Sequence, residues 1–206
     1  MSKLFFEIFN KARSEVFEKL SAFNKIGTLA GGTAVHLQLG KRYSYDFDIF
    51  TPEPIAKKRL SEVIAVFGEG IQKLTDSSQE LSFITSRKVK VSLVHFPFKP
   101  LHLLVETKSI SLFDLRDLAS NKAYVIGRRG EYRDYVDMFF LVKSGLKLRD
   151  IVKESEKRFK GAFSERLFLE QLVYFSDLKD FQIDFLKEKY SPGQVKEFLQ
   201  SLVENY

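Results

Sequence analysis

Leu4, Phe5, Ile8, Ala12, Val16, Leu20 and Phe23 recur at helical spacing with Lys, Arg and Glu between them, which predicts an amphipathic helix over residues 3–23. The short apolar run from Lys25 to Ala30 closes on Gly31-Gly32 and reads as a strand entering a tight turn. Thr33 is suited to cap a short helix reaching about Leu39, where Gly40 stops it. Tyr45 to Phe50 then alternates with period two, the pattern of a strand with two distinct faces. Asp46 and Asp48 share one face, while Tyr45, Phe47 and Ile49 are expected to point into apolar packing on the other. Thr51-Pro52-Glu53-Pro54 ends the strand.

A second amphipathic helix is predicted over Ala56–Phe67, followed by strands near Ile71–Thr75, Glu80–Ser86 and Lys88–His95, with a hairpin turn around Arg87-Lys88. A short strand is expected at Leu101–Glu106, after Pro97 and Pro100. Beyond Ser111 the alternation stops and helical periodicity runs to the end. Phe113–Ile126, Tyr132–Lys143, Ser164–Phe175 and Pro192–Val203 are the clearest helices. The last is announced by a cap residue followed by proline, Ser191-Pro192. No internal repeat or long linker interrupts this order. The expected organisation is an α/β (α+β) core over residues 1–110 and a helical C-terminal region over 111–206 that completes the site.

Composition narrows the classes. Hydrophobic residues make up 44% of the 206, and Phe alone contributes 21, enough for a core that needs no covalent staples. There is no cysteine, which excludes disulfides, thiolate metal sites and a cysteine nucleophile. The N-terminal stretch meets Glu7 too early for a signal-peptide apolar region, and no apolar run approaches the ~20 residues of a membrane span. A cytoplasmic protein without a membrane partner is expected. The net charge of +6 suits a polyanion such as RNA or a nucleotide, and equally a solvated Lys/Glu-rich surface.

The chemistry concentrates before residue 50. Two carboxylates two positions apart on a strand lie about 7 Å apart along it, given a rise of ~3.3 Å per residue. Asp46 and Asp48 can therefore hold Mg²⁺ (or Mn²⁺), which takes hard oxygen ligands and shares them with phosphates, or be an ordinary pair of surface acids. Upstream, Gly31-Gly32-Thr33 forms a strand-to-helix turn whose bare N–H groups favour phosphate oxygens, or serves simply as a turn. Twelve residues separate Thr33 from Asp46, room for one short helix and a return, so loop and carboxylates can meet on neighbouring strand ends. The three histidines fit no metal spacing and are assigned no role.

Gly31-Gly32-Thr33-Ala34-Val35 followed by Ser44-Tyr45-Asp46-Phe47-Asp48-Ile49-Phe50 resembles the first motif of the AbiEii/AbiGii-type nucleotidyltransferase (toxin) family, within the polymerase-beta-like nucleotidyltransferase superfamily. A second block is similar: Ser109 to Leu112, Asp117 to Ala123, then Arg129 and Arg133-Asp134-Tyr135-Val136-Asp137. The resemblance implies a mixed sheet flanked by helices with a helical C-terminal part. It also implies transfer of a nucleoside monophosphate from a nucleoside triphosphate to an acceptor hydroxyl, an RNA end or a protein. In that scheme Asp46 and Asp48 hold Mg²⁺, and Gly31, Gly32 and Thr33 cradle the β- and γ-phosphates through N–H groups and a hydroxyl. Lys122 adds positive charge, and Asp134 and Asp137, on one helix face, orient Lys122, Arg129 or Arg133 or form a surface ion-pair network. An antitoxin partner is implied by the same resemblance.

One departure stands out. Superfamily enzymes often carry a third carboxylate on a later strand, and Lys88 to Val94 contains none; Ser92 occupies the expected place, and spacing selects neither Glu80 nor Glu106. The alternative is therefore a catalytically weak nucleotide- or RNA-binding module on the same fold.

Overall fold

A computed structural model describes residues 3–206, so the first two residues of the N-terminal stretch lie outside the description. Strands β1 (Thr28–Ala30), β2 (Phe47–Thr51), β3 (Gln72–Asp76), β4 (Glu80–Ile84) and β5 (Lys90–His95) form one sheet in the order β1-β2-β5-β4-β3. β2 and β5 run parallel and the other neighbours antiparallel, so the sheet is mixed, as expected. The hairpin between β4 and β5 turns where anticipated. Lys88 takes a positive φ of 59° there, and Thr85 and Val89 close the turn by backbone hydrogen bonding.

The N-terminal helix is shorter than its apolar spacing suggests. Asn10 accepts a hydrogen bond from the Arg13 N–H at 3.0 Å and caps α1 (Lys11–Lys19), so Leu4, Phe5 and Ile8 precede the helix, around a 3-10 turn at Phe6–Ile8. A second 3-10 turn, Leu20–Phe23, follows α1. With α3 (Arg59–Phe67), this segment covers one face of the sheet. Phe47 packs edge-on against Phe9 and near Phe17, and Phe67 lies between Phe23 and Phe83.

α2 (Gly31–Leu39) starts directly from β1 and ends at Gly40, whose φ of +61° provides the left-handed cap anticipated for it. Leu101–Glu106 forms no strand. Asp117 accepts hydrogen bonds from the backbone N–H groups of Leu101 and His102 at 2.8 and 3.0 Å, replacing a ladder partner, and only a single bridge, Val105–Leu112, is left. Leu103 points into solvent at 92% exposure.

The C-terminal helices are α4 (Leu115–Ile126), α5 (Tyr132–Lys143), α6 (Leu148–Phe159), α7 (Glu165–Val173) and α8 (Pro192–Glu204); α4 and α5 pack on α2, which in turn contacts β1 and β2. α5 is buried nearly all round, from Asp134 to Leu141 without a break, and packs on α2, α4 and α8. α6 adds a helix beyond those named from the pattern. Its buried Leu148, Ile151, Val152, Ser155 and Phe159 are diluted in sequence by Lys153, Glu154, Glu156 and Lys157. α8 begins at a full capping box between Ser191 and Gln194, with Pro192 in its first turn. Among the described residues no helix is long and apolar enough to cross a membrane.

Candidate active site

The glycine turn and the aspartates meet. Gly31 has a φ of +66°, and a Cβ built on it would lie 2.5 Å from Asp48 Oδ2, so only glycine lets the first turn of α2 close on that carboxylate. Gly31, Gly32 and Thr33 are the first three residues of α2, whose N–H groups lack intrahelical partners and carry the positive end of the helix dipole. Thr33 does not cap the helix. It is buried in the first turn, and its hydroxyl donates to the Asp46 carbonyl at 2.5 Å and shares a 2.9 Å hydrogen bond with Ser44 Oγ. Arg13 of α1 donates to the Ser44 carbonyl at 2.8 Å. The segment entering β2 is thus held from two helices.

Asp46 stands one residue before β2 and Asp48 within it; both are partly buried, whereas Phe47 and Ile49 are sealed in the core. Tyr45 departs from the expected alternation. It precedes the strand, is 53% exposed, and donates its hydroxyl to Asp184 instead of packing inward. Burial, followed by the neighbouring Asp46 charge, raises the Asp48 carboxyl above its usual range, and Lys122, Lys90 and Arg129 pull the other way.

Behind the carboxylates lies a buried charge network. Asp137 Oδ1 accepts from Arg42 Nε at 2.7 Å and lies 2.8 Å from His36 Nε2, and Asp137 Oδ2 is 2.6 Å from Lys122 Nζ. Lys122 Nζ also donates to Asp134 Oδ1 at 2.7 Å, and Arg129 Nε approaches Asp134 Oδ2 at 3.4 Å. Lys122 is 8% exposed, and Asp134 and Asp137 are sealed. Asp137 is held well below the ordinary carboxylate range: Arg42, Lys122 and the His36 hydrogen bond outweigh its burial. His36 is pushed down to about 4, burial outweighing the Asp137 hydrogen bond, so it is neutral at pH 7. Two cations face two anions at the centre of this network. It is an interior structure, and the open positive charges beside it are those of Arg129 and Arg133, 55% and 57% exposed.

Ser92 of β5 is the register partner of Asp48 on β2, and Ser82 of β4 is the partner of Ser92, so the row beside Asp48 is hydroxylic. Glu80 pairs with Val94, two residues along the strands from that row, and Glu106 accepts from the Ser111 hydroxyl. No group of three or more His, Cys, Asp or Glu able to hold a metal occurs among the described residues. Arg42, His36 and Lys90 are the site residues that sequence reasoning missed. Arg42 carries no local signal, because its partner is 95 positions away; Lys90 had one, lying two residues before Ser92 on the same strand face.

A mixed sheet in which a glycine-led helix presses on an Asp-x-Asp strand, closed over by charged helices, is the nucleotidyltransferase fold. A putative nucleotidyltransferase from Helicobacter pylori superposes with a TM-score of 0.59 at 16% identity, covering 94% of this chain and 92% of that one. The nucleotidyltransferase toxin MenT4 from Mycobacterium tuberculosis does so with a TM-score of 0.60 at 11% identity, over 95% and 83%. An uncharacterised protein of Aquifex aeolicus is 29% identical over 204 residues, 95% of this chain and 96% of its own length. The family model for the nucleotidyl transferase AbiEii toxin of type IV toxin–antitoxin systems matches residues 16–205. The chain belongs to that family.

Proposed function

We propose that the protein is a magnesium-dependent nucleotidyltransferase in which an acceptor hydroxyl on an RNA end or a protein attacks the α-phosphate of a nucleoside triphosphate, taking the nucleoside monophosphate and releasing pyrophosphate. The observation that carries the reading is the contact of Gly31 with Asp48, which puts a phosphate-binding helix start against a carboxylate pair. Asp46 and Asp48 fit Mg²⁺ or Mn²⁺. They are hard oxygen donors at the start of β2 and close enough to repel one another, which favours a cation, and with only two acids the remaining coordination suits substrate phosphates and water. A bound ion would neutralise triphosphate charge and lower the pKa of the acceptor hydroxyl.

The chain's own groups then divide the work. The N–H groups of Gly31, Gly32 and Thr33 receive phosphate oxygens, and the Thr33 hydroxyl fixes Asp46 in place of touching phosphate. Lys122, clamped by Asp134 and Asp137, supplies a fixed positive charge behind Asp48, and Arg129 meets the phosphates from the open side. The family's type IV toxin–antitoxin assignment supports an antitoxin as partner.

The test is transfer of label from radiolabelled nucleoside triphosphates with Mg²⁺ to total RNA and total protein. Wild type is expected to label an acceptor, and the Asp46→Asn/Asp48→Asn double variant to label none while melting cooperatively. Equal labelling by the two proteins would end the assignment. Ser92 beside Asp48 favours the second reading, a nucleotide-binding module of weak activity, and tight triphosphate binding with no turnover on either acceptor pool would select it.

A further inference from the structure

β5 is the middle strand of the sheet, yet it opens with a lysine, Lys90. A buried or half-buried lysine ordinarily has an acid within reach. Lys122, Lys90 and Arg129 act on Asp48, and Arg133 lies within range of Asp46. Three of these cations have acids of their own: Lys122 is clamped by Asp134 and Asp137, and Arg129 and Arg133 both pair with Glu131. Lys90 is half-buried, and its side chain has no ion pair or hydrogen bond among the described residues. Its cross-strand neighbour Ile84, and Ser82 beside Ser92, carry no charge.

The register places this ammonium. Asp48 of β2 pairs with Ser92 of β5 in parallel, and the ladder begins one residue earlier, at Phe47 and Val91. Continued by one residue, it brings Lys90 level with Asp46, and alternation along β5 puts Lys90 on the face of Ser92. Lys90 and Ser92 therefore line the Asp48 face of the sheet, with Lys90 at the end where Asp46 enters. Both Lys90 and Asp46 are partly exposed there. Where a third acid would hold a second cation stands a hydroxyl, with an ammonium next to it. Two carboxylates carry two negative charges, which one divalent ion neutralises, and Lys90 opposes the entry of another.

We propose that the site holds a single divalent cation and that the Lys90 ammonium takes the place of a second, contacting the triphosphate beside the carboxylate pair. The inference rests on the nucleotidyltransferase reading. A lysine supplies a mobile point charge and three N–H donors, enough to bind phosphate oxygens and offset the charge that gathers on them. It has no means of coordinating an acceptor hydroxyl, so its contribution is to the phosphate and not to activating the nucleophile.

Counting Mn²⁺ by electron paramagnetic resonance on the full chain tests it, with and without a nucleoside triphosphate whose α,β-bridge cannot be cleaved. Wild type is expected to bind one Mn²⁺ per chain at saturating analogue. Lys90→Met keeps the aliphatic stem and removes the charge. It is expected to bind Mn²⁺ alone about ten-fold more tightly, the repulsion of a divalent ion by a unit charge at about 7 Å in water. At saturating Mn²⁺ the same variant should bind the analogue about ten-fold more weakly, the value of one charge-assisted contact. The two changes have opposite signs, which a merely structural role for Lys90 would not produce. Lys90→Gln gives the same comparison should the methionine variant not fold. Two Mn²⁺ per wild-type chain, or a variant with either affinity within about two-fold of wild type, overturns the inference and leaves the nucleotidyltransferase reading standing. A wild type that binds neither Mn²⁺ nor the analogue overturns both.

Discussion

Lys122 Nζ lies 2.6 Å from Asp137 Oδ2, and the opposite oxygen of that carboxylate binds Arg42 of the α2–β2 connection and His36 of α2. A single buried acid thus ties the helix that starts at the glycine turn to the two helices that close over it. Removing one partner of such a network strands the others as unpaired buried charge, whereas exposed ion pairs on this surface, such as Arg166–Glu170, contribute little. Asp137→Ala is expected to lower stability by about 3–5 kcal/mol in urea unfolding. A loss below about 1 kcal/mol would place the pair in the weak, solvent-screened class and remove it as the link between helices.

Gly31→Ala combines a positive φ with a Cβ 2.5 Å from Asp48 Oδ2. The backbone term alone is about 1–2 kcal/mol, and relief of the contact has to move the carboxylate. The variant should therefore lose both stability and Mn²⁺ affinity, read by thermal melting with and without metal. Gly68→Ala is the control: its φ is +85°, but a Cβ there meets nothing within 4 Å, so it should lose stability and keep metal affinity.

Acid should weaken the fold through His36, against the raised Asp48 carboxyl, which acts in the opposite direction. His36 is depressed from 6.5 to about 4 in the folded chain, so between these values the unfolded chain binds more protons and stability rises with pH. The contribution is complete above pH 6.5 and is lost as pH falls toward 4, by on the order of 1 kcal/mol per pH unit within the window. Asp137, also depressed, acts in the same direction at pH values below its unfolded 3.8. Urea midpoints at pH 7, 6 and 5 should fall for wild type and stay nearly level for His36→Gln. Parallel slopes for the two proteins would show that His36 is not the group responsible.

Ser92→Asp would restore an acid in register with Asp48 at a position only 3% exposed. In the absence of metal, a third carboxylate there adds burial cost and like-charge repulsion, and a loss of about 1–3 kcal/mol is expected. Mg²⁺ or Mn²⁺ should recover that loss and raise the melting temperature more than it does in wild type. A variant whose metal response equals that of wild type would show that residue 92 does not face the cation.

Much of the site was legible because its determinants are local. The alternation Phe47-Asp48-Ile49-Phe50 specifies which side chains face the core, and the paired glycines before Thr33 specify a turn that a larger residue would block. The alternation misled at its edge: Tyr45 and Asp46 lie before the first ladder residue, and Tyr45 turns out toward Asp184, 139 positions away. Capping misled as well. Asn10 outcompeted the longer apolar stripe at α1, and Thr33, a good cap by type, serves as an internal clamp on Asp46.

The amino-acid order by itself determined the fold class, the Asp46–Asp48 pair, the glycine turn and the likeness of the Lys122 to Asp137 block to a known family, since each rests on spacing within a few residues. Tertiary structure decided the rest. It chose Asp137 as the shared partner of His36, Arg42 and Lys122 and set Ser92 against Asp48. The physical reason is that burial and charge pairing are properties of position in space. Residues some 100 apart in the chain leave no periodic trace of their contact, and only packing of α2, α4 and α5 around one carboxylate makes them neighbours.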